Sequence, residues 1–371
     1  MIAMVAIAIS FFVIILAVAV SAGFRKELRG GIAKMSGDVS ITTPDLNYAN
    51  EDNPIEDFPT LQSAISGVKG VKSVIPVVYR AGIVKSGTEI NGALFKGTPD
   101  GADSLQVSVP TALADKLGIS VGDEITSYYI GSRVKARRFR VASLYDDVLG
   151  GTGTYIIKAG ISDMQRLNSW SEDQVSSVEV ILDDAWSGNF QMEMKADEIG
   201  TMVMAATPSD KSAPVALSAL HRYPQIFAWL DLIDRNVLVI LILMTIVAGF
   251  NMISGLLILL FRNVSTIGTL KSMGMTDRSI AELFLRVSSN LVLKGMAIGN
   301  GLALLFCLIQ GTTHLIRLNP ENYFVSFVPV SVAPGLIIAA DIAAYLVIMI
   351  LLLIPSLYVS RVDPAKTVRA K

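Results

Sequence analysis

Four long apolar stretches restrict what this chain can fold into. A helix needs about 20 mostly apolar residues to cross a hydrocarbon core of about 30 Å. The stretches that qualify lie at residues 1–24, 237–261, 289–309 and 334–358. They predict four transmembrane helices, and a charged fraction of only 17% agrees with this. The chain is therefore expected to be an α-helical integral membrane protein.

A signal peptide is the alternative interpretation of the first stretch, because Ala19–Ala22 resembles a cleavage site. The stretch has no basic residue before it, and it exceeds the 7–15 apolar residues typical of a signal peptide. We therefore predict that it remains as a membrane helix. We also expect a short basic cytoplasmic segment to precede Met1.

Basic residues in the short segments predict the orientation. The loop at 262–288 and the tail after Tyr358 carry Arg262, Lys271, Arg278, Arg286, Arg361, Lys366, Arg369 and Lys371. Short cytoplasmic loops carry an excess of Lys and Arg, which places these segments inside and region 25–236 outside. Arg25, Lys26, Arg29 and Lys34 favour the opposite orientation. Long domains, however, cross the membrane largely regardless of charge.

Residues 25–236 are predicted to form an α+β domain outside the membrane. Strand-like runs rich in Val, Ile, Tyr and Phe lie at 38–43, 71–85, 89–97, 124–130, 135–145, 153–157 and 176–182. Helical patterns lie at 60–66, 110–117, 159–167 and 190–205, and 24–35 is expected to continue the first membrane helix. The remaining region, 237–371, is predicted to be a second domain that contains the last three spans.

The sequence carries no pattern for catalysis, metal binding or nucleic-acid binding. A Walker A phosphate loop is absent, and the glycine cluster at 150–153 precedes a predicted strand rather than a helix. One cysteine, Cys307, and two histidines do not supply a Cys/His metal cluster. A net charge of -1 argues against a nucleic-acid partner, which would require a strongly basic face. We predict a chain without catalytic residues, bound cofactor or metal site.

The loop between the second and third spans predicts a short helix at 263–274. Val264, Ile267 and Leu270 recur at helical spacing, Gly274 is typical of a helix end, and Thr276 is a candidate N-cap for the next helix. One interpretation is an interfacial helix without a partner. The other is a rod that passes force from a cytoplasmic partner into both flanking spans.

Several segments in a fixed order carry a family resemblance. They are the span, the large outer domain and three further spans; Ile267–Gly274; the tail Arg361–Ala365; Ala114–Gly118 with Val121–Asp123; and Arg222–Trp229 leading into Gly249–Gly255. Because these segments occur in this order, the chain resembles permease subunits of the MacB/FtsX-type ABC transporter superfamily. Within it, the chain is most similar to the lipoprotein-releasing permeases.

The resemblance implies a function in the bacterial inner membrane. A separate cytoplasmic ATPase, which binds ATP and Mg²⁺, would drive a dimer of this chain with a second copy or a paralogue. The dimer would extract lipoproteins from the bilayer and pass them to a periplasmic carrier. The residues that the resemblance assigns to ATPase coupling are Thr266, Ile267, Gly268, Leu270, Lys271 and Gly274. The alternatives are a permease that drives an efflux partner or a cell-wall hydrolase, and a membrane-anchored binding or sensor protein.

Extraction requires an apolar surface for acyl chains, and the first two spans are rich in Phe, Ile, Leu and Met with few polar groups. We expect the surface to lie in the outer halves of these spans. The candidate residues of this substrate path are Phe227, Trp229, Leu232, Phe250 and Met252. The alternative interpretation of each residue is ordinary lipid-facing packing or an aromatic belt at the membrane surface.

Overall fold

The computed structural model describes residues 2–46, 49, 51–131, 133–146, 153–186, 188–208 and 212–359. Residues 150–152 of the glycine cluster and the tail motif at 361–365 lie outside these residues. The chain divides into two compact units. The helical unit comprises the described residues within Met1–Lys26, Trp229–Arg317 and Phe327–Lys371, and the α+β unit comprises those within Glu27–Ala228 and Leu318–Ser326.

The elements follow one another along the chain in the order α1 (Ile2–Ser36), β1 (Val39–Thr42), α2 (Phe58–Ser66), β2 (Val71–Ser86), β3 (Glu89–Thr98), β4 (Gln106–Pro110), α3 (Thr111–Leu117), β5 (Glu124–Tyr129), β6 (Lys135–Tyr145), β7 (Ile156–Gly160), α4 (Ile161–Asn168), β8 (Ser177–Leu182), a 3₁₀ turn (Asp184–Trp186), α5 (Asn189–Ala206), β9 (Val215–Ser218), α6 (Ala219–Arg222), α7 (Pro224–Arg262), α8 (Val264–Ser272), α9 (Asp277–Thr313), α10 (Pro320–Tyr323) and α11 (Pro334–Val359).

Four of these helices, α1, α7, α9 and α11, are long and apolar enough to cross a membrane. This confirms the four predicted spans. Helix α1 continues past its apolar stretch to Ser36, as predicted for residues 24–35. Helix α7 begins at Pro224, well before the apolar stretch that starts at 237, because proline is favoured in the first turn of a helix and the intervening charged residues are tolerated on a helix surface.

Glycines allow the membrane helices to pack closely. A Cβ atom at Gly299 of α9 would lie 2.4 Å from the carbonyl oxygen of Ala8 in α1, and one at Gly295 would lie 2.7 Å from Cγ2 of Ile7. The two glycines form a G-x-x-x-G pattern, which lets the backbones of two membrane helices approach each other. Side chains from α1, α7, α9 and α11 fill one buried apolar cluster.

Polar side chains of α9 and α11 contact each other within the helical unit. Asn300 donates a hydrogen bond of 2.6 Å to Asp341, and the hydroxyl groups of Ser289 and Tyr345 are 2.8 Å apart. The carboxylate of Asp341 is thus partly satisfied by a neighbouring helix. Lys294, the other charged residue in these two stretches, is exposed.

Strand β2 organises the α+β unit because it belongs to two sets of strands. Its first part, 71–77, pairs with β8, which continues into β1 and β9. Its second part, 78–86, joins a closed ring of pairings in the order β2–β3–β7–β4–β6–β5. Helices α2 and α5 pack against the first set, whereas α3 and α4 pack against the ring.

The interior of the ring is apolar and aromatic. Phe95 stacks on Phe139 with ring centroids 5.7 Å apart, and Tyr129 meets Phe95 edge to face. Helix α3 ends at Gly118, which has a φ of 61°, as the sequence predicted from this glycine. The α+β class is confirmed, and the two strands that sequence reasoning missed are β4 and β9.

Candidate functional site

The short helix α8 presents two different sides. Ile267 is 2% exposed and Gly268 is also buried, and Ile267 belongs to the same buried cluster as Leu260 and Ile280. Thr266 is exposed. One side of α8 is therefore fixed by packing on the long helices, and the other side is open.

A tight turn joins α8 to α9. Gly274 adopts a φ of 92°, which favours glycine, and its amide donates to the carbonyl of Lys271 at 3.0 Å. The amide of Met275 donates to the carbonyl of Leu270 at 3.0 Å. The Thr276 hydroxyl then caps α9. These hydrogen bonds leave little conformational freedom between the end of α8 and the start of α9.

Lys271 contributes to this turn rather than to an open surface. Its side chain is 12% exposed, and its ammonium group lies 2.8 Å from the Asp277 carboxylate at the start of α9. Leu270 is half-buried. The sequence reasoning did not find Asp277, because an ion pair between two separate helices has no signature in residue spacing.

The turn exposes methionine side chains that sequence reasoning also missed. Met273 is 79% exposed and Met275 is 37% exposed. Methionine is apolar and adaptable, and it is common at surfaces that bind other proteins. The signal was present as the Met-Gly-Met sequence at 273–275, next to the predicted helix end.

The five candidate substrate-path residues all lie on α7, but they do not form one surface. Phe227 and Met252 are buried, at 5% and 3% exposure, whereas Leu232 and Phe250 are 56% and 64% exposed. Trp229 meets Phe24 of α1 edge to face at 5.4 Å. The set extends over about 38 Å along the helix at 1.5 Å per residue.

Helices α1 and α7 also share a polar contact in the helical unit. Asp234 of α7 accepts a hydrogen bond of 2.6 Å from the Ser21 hydroxyl, and its carboxylate pairs with Arg25. This contact lies close in sequence to Phe24 and Trp229. Together the polar and aromatic contacts hold α1 against α7 in this part of the bundle.

The outer side of the strand ring is basic. Lys85, Thr126 and Arg138 stand side by side across β2, β5 and β6, and Arg140 lies opposite Glu124 in the next row. The alternate residues of β5 and β6 point to the buried interior, so the side chains of Lys85, Arg138 and Arg140 are exposed. Three cations and one carboxylate in these two rows give this face a positive charge.

A buried charge network lies in the same unit. The ammonium group of Lys96 is 2.7 Å from the Glu179 carboxylate and donates a second hydrogen bond, of 2.5 Å, to the carbonyl of Met35. The Tyr79 hydroxyl donates to Glu179 at 2.5 Å. Burial lowers the pKa of Lys96, and the negative charge of Glu179 opposes that change. Burial also raises the pKa of Tyr79 well above its usual value, and Glu179 reinforces that rise.

No group of three or more His, Cys, Asp or Glu side chains suited to a metal ion occurs among the residues that the structure describes. The molecule is an integral membrane protein whose outer α+β unit is inserted between its first and second spans and whose second and third spans are joined by a short helix.

Comparison with known families matches both parts of the chain. Residues 1–197 match the MacB-like periplasmic core domain, and residues 238–364 match the FtsX-like permease C-terminal domain. The chain therefore belongs to the MacB/FtsX family of ABC transporter permeases. It is a multi-pass inner-membrane protein with its α+β unit in the periplasm, and α8 is accordingly on the cytoplasmic side.

Relatives with assigned names match almost the whole chain at low identity. The lipoprotein-releasing system transmembrane protein LolC of Neisseria meningitidis is 20% identical over 100% of this chain and 93% of its own length. LolE of Haemophilus influenzae is 22% identical over 97% of this chain and 92% of its own length. The periplasmic region of MacB from Actinobacillus actinomycetemcomitans aligns with 54% of this chain and 97% of that region, at 13% identity and a TM-score of 0.33.

Proposed function

We propose that this chain is the permease subunit of an ABC transporter that extracts lipoproteins from the inner membrane for transfer to a periplasmic carrier. The observation that carries the proposal is the end-to-end similarity to LolC and LolE, which are named for lipoprotein release. In this proposal a cytoplasmic ATPase binds ATP and Mg²⁺, and the permease works as a dimer with a second copy or a paralogue.

The energetics of acyl chains explain why such a permease needs an ATPase. Moving a lipid chain from the bilayer into water costs about 0.8 kcal/mol for each CH₂ group. A protein that carries several acyl chains therefore stays in the membrane unless work is done on it. The permease supplies the path and the moving parts, and the ATPase supplies the free energy.

Helix α8 is the proposed contact with the ATPase. Its packed side, with Ile267 and Gly268, transmits displacement to the long helices because it is fixed in their buried cluster. Its open side, with Thr266, and the adjoining turn with Met273 supply the contact surface. Lys271 and Gly274 keep α8 and α9 together at the turn.

An apolar stripe on α7 is the proposed acyl-chain surface. Leu232 and Phe250 are 18 residues apart, which is about five turns at 3.6 residues per turn, so they share one face of the helix. Val239, Leu243 and Ile246 lie on the same exposed face. Met252 and Phe227 support the helix from its buried sides, and Trp229 positions it against Phe24.

The direct test is reconstitution. The permease is purified with its ATPase, placed in lipid nanodiscs with a triacylated lipoprotein, and supplied with ATP and an excess of soluble periplasmic extract. We expect ATP-dependent appearance of the lipoprotein in the soluble fraction. Release that does not depend on ATP, or no release by a complex that hydrolyses ATP, would contradict the proposal.

The same experiment tests the second candidate function, that of a permease whose movement acts on another protein. The match to a MacB-like periplasmic core domain supports a permease that instead moves an efflux partner or a cell-wall hydrolase. Such a complex would hydrolyse ATP and retain the lipoprotein in the nanodisc. It would respond to a tubular efflux partner or a hydrolase added from the periplasmic side.

The basic face of the strand ring is the proposed docking surface for an acidic surface of the carrier. Replacing both Arg138 and Arg140 with glutamate is expected to reduce lipoprotein transfer at least about tenfold, because like charges across an interface cost several kcal/mol. ATP hydrolysis should be unchanged. The matched control replaces the exposed Lys69 and Lys72 with glutamate, which makes the same change in charge elsewhere in the unit.

Transfer is measured as in the reconstitution, at low and at physiological salt. The loss should be larger at low salt, because salt screens charges at an exposed interface. Equal losses in both double variants would assign the effect to overall charge rather than to this face.

A further inference from the structure

The chain enters and leaves the α+β unit at neighbouring points. Helix α1 ends at Ser36, and the next strand pairs with the strand that precedes α6, with Val39 opposite Ser218. The amide of Ala219 donates a hydrogen bond of 2.8 Å to the carbonyl of Asp38. The segments that lead from α1 and into α7 are therefore joined directly by backbone hydrogen bonds.

The buried charge network lies at this point. Lys96 of β3 donates to the carbonyl of Met35, in the last turn of α1, and pairs with Glu179 of β8. A cation is favourable at the C-terminal end of a helix, where carbonyl groups lack partners within the helix. One side chain thus connects the end of α1 to two strands of the unit.

The same network reaches the segment before α7. The guanidinium of Arg222 lies over the Tyr79 ring, 5.3 Å from its centroid, and donates a hydrogen bond of 2.7 Å to Ser40. Tyr79 in turn donates to Glu179. Through Tyr79 and Glu179, the segment before α7 and the end of α1 contact one buried ion pair.

We propose that Lys96 and Glu179 are positioning residues that join α1 and α7 to the strands, so that movement of the two helices is passed to the α+β unit. This inference rests on the proposed function, because the movement is the one that the ATPase generates. Lys96 and Glu179 are 3% and 2% exposed, so the pair works in an environment where water does not compete for its hydrogen bonds. Apolar side chains can fill the same space, but they provide no directed bond to Met35.

The test replaces Lys96 with methionine and Glu179 with glutamine together. Removing both charges avoids leaving one of them buried and unpaired, which is the change that would unfold the unit. The matched control replaces Arg80 with methionine and Glu51 with glutamine. Arg80 and Glu51 form another largely buried pair, 3.0 Å apart, in the same unit.

Hydrogen–deuterium exchange is measured on the permease–ATPase complex in nanodiscs, with and without ATP and orthovanadate. In the unmodified complex, we expect nucleotide to change exchange several-fold both in α8 and in the two joined segments, 39–42 and 219–222. In the Lys96→Met/Glu179→Gln variant, the response of α8 should remain and the response of the joined segments should be lost. The control variant should keep both responses.

Each outcome decides one question. Unaltered responses in the Lys96→Met/Glu179→Gln variant would overturn the inference. The inference would also be overturned if, in the unmodified complex, α8 responded to nucleotide and the joined segments did not. That measurement does not depend on the folding of any variant. A complex whose α8 never responds to nucleotide would instead overturn the proposed coupling, and with it the basis of the inference.

Discussion

An aspartate in place of Met273 is expected to reduce association of the ATPase with the permease at least about tenfold, a loss of about 1.4 kcal/mol. Met273 is 79% exposed in the turn between α8 and α9, and an apolar side chain in that position gains free energy when a partner covers it. A carboxylate there would have to lose its hydration without a matching cation. The permease itself should remain folded, because the side chain has little contact with its own chain.

The measurement is the amount of ATPase that co-purifies with the tagged permease in mild detergent, together with the melting temperature of the permease. Leu315→Asp is the matched control, since Leu315 is 75% exposed in the loop that follows α9, on the periplasmic side. Full retention of the ATPase by Met273→Asp would remove this turn from the proposed contact.

Met273 is a sharper test of coupling than the glycine of α8. The family resemblance points to Gly268 and Leu270 as coupling positions, but Gly268 is buried and Leu270 is half-buried. An aspartate at Gly268 would place a charge within the packed side of α8 and would disturb the long helices as well. Loss of the ATPase from such a variant would not separate contact from folding.

A leucine in place of Gly299 is expected to prevent assembly of the helical unit. The first side-chain atom would lie 2.4 Å from a backbone oxygen of Ala8, and a backbone atom cannot rotate out of the way as a side chain can. Overpacking in a tight core costs about 1–3 kcal/mol and occasionally more. Here the two helices must separate along their whole contact, so we expect the upper end of that range or beyond.

Gly301→Leu is the matched control, because a Cβ atom at Gly301 meets nothing within 4 Å. The two variants change the same residue type in the same helix, two positions apart. Size-exclusion profiles and melting temperatures in detergent compare them. We expect a monodisperse peak for Gly301→Leu and aggregated or degraded protein for Gly299→Leu. Similar profiles for the two variants would show that α1 and α9 need no close approach.

The architecture was predictable because its main signals are local in the sequence. Apolar length defines the four spans, and runs rich in branched and aromatic residues define the longer strands. Strand β4 was missed because it is short and ends in Pro110, and β9 because only 215–218 pair. The close packing of the membrane helices at Gly295 and Gly299 could also be predicted, because the G-x-x-x-G pattern is a local sequence signal for it.

The candidate sites were less predictable because they depend on contacts between distant segments. Lys96 and Glu179 are 83 residues apart in the sequence. Taken alone, each would be interpreted as an ordinary exposed charge on a strand. Only the pairing of β2 with both β3 and β8 brings them together. The substrate path was proposed from composition, which does not distinguish the exposed face of α7, with Phe250, from the buried face, with Met252.

Strand β2 fixes the register of the first set of strands, β8, β1 and β9, relative to the register of the ring. Residues 71–77 and 78–86 are one continuous strand. A slip of one residue in either half would therefore move every side chain of the strand, including Val77 and Val78, to the opposite face of its sheet. Neither half can shift alone without breaking the other. We therefore expect the sheet and the ring to unfold in a single cooperative transition, with no populated species in which only one of them is formed.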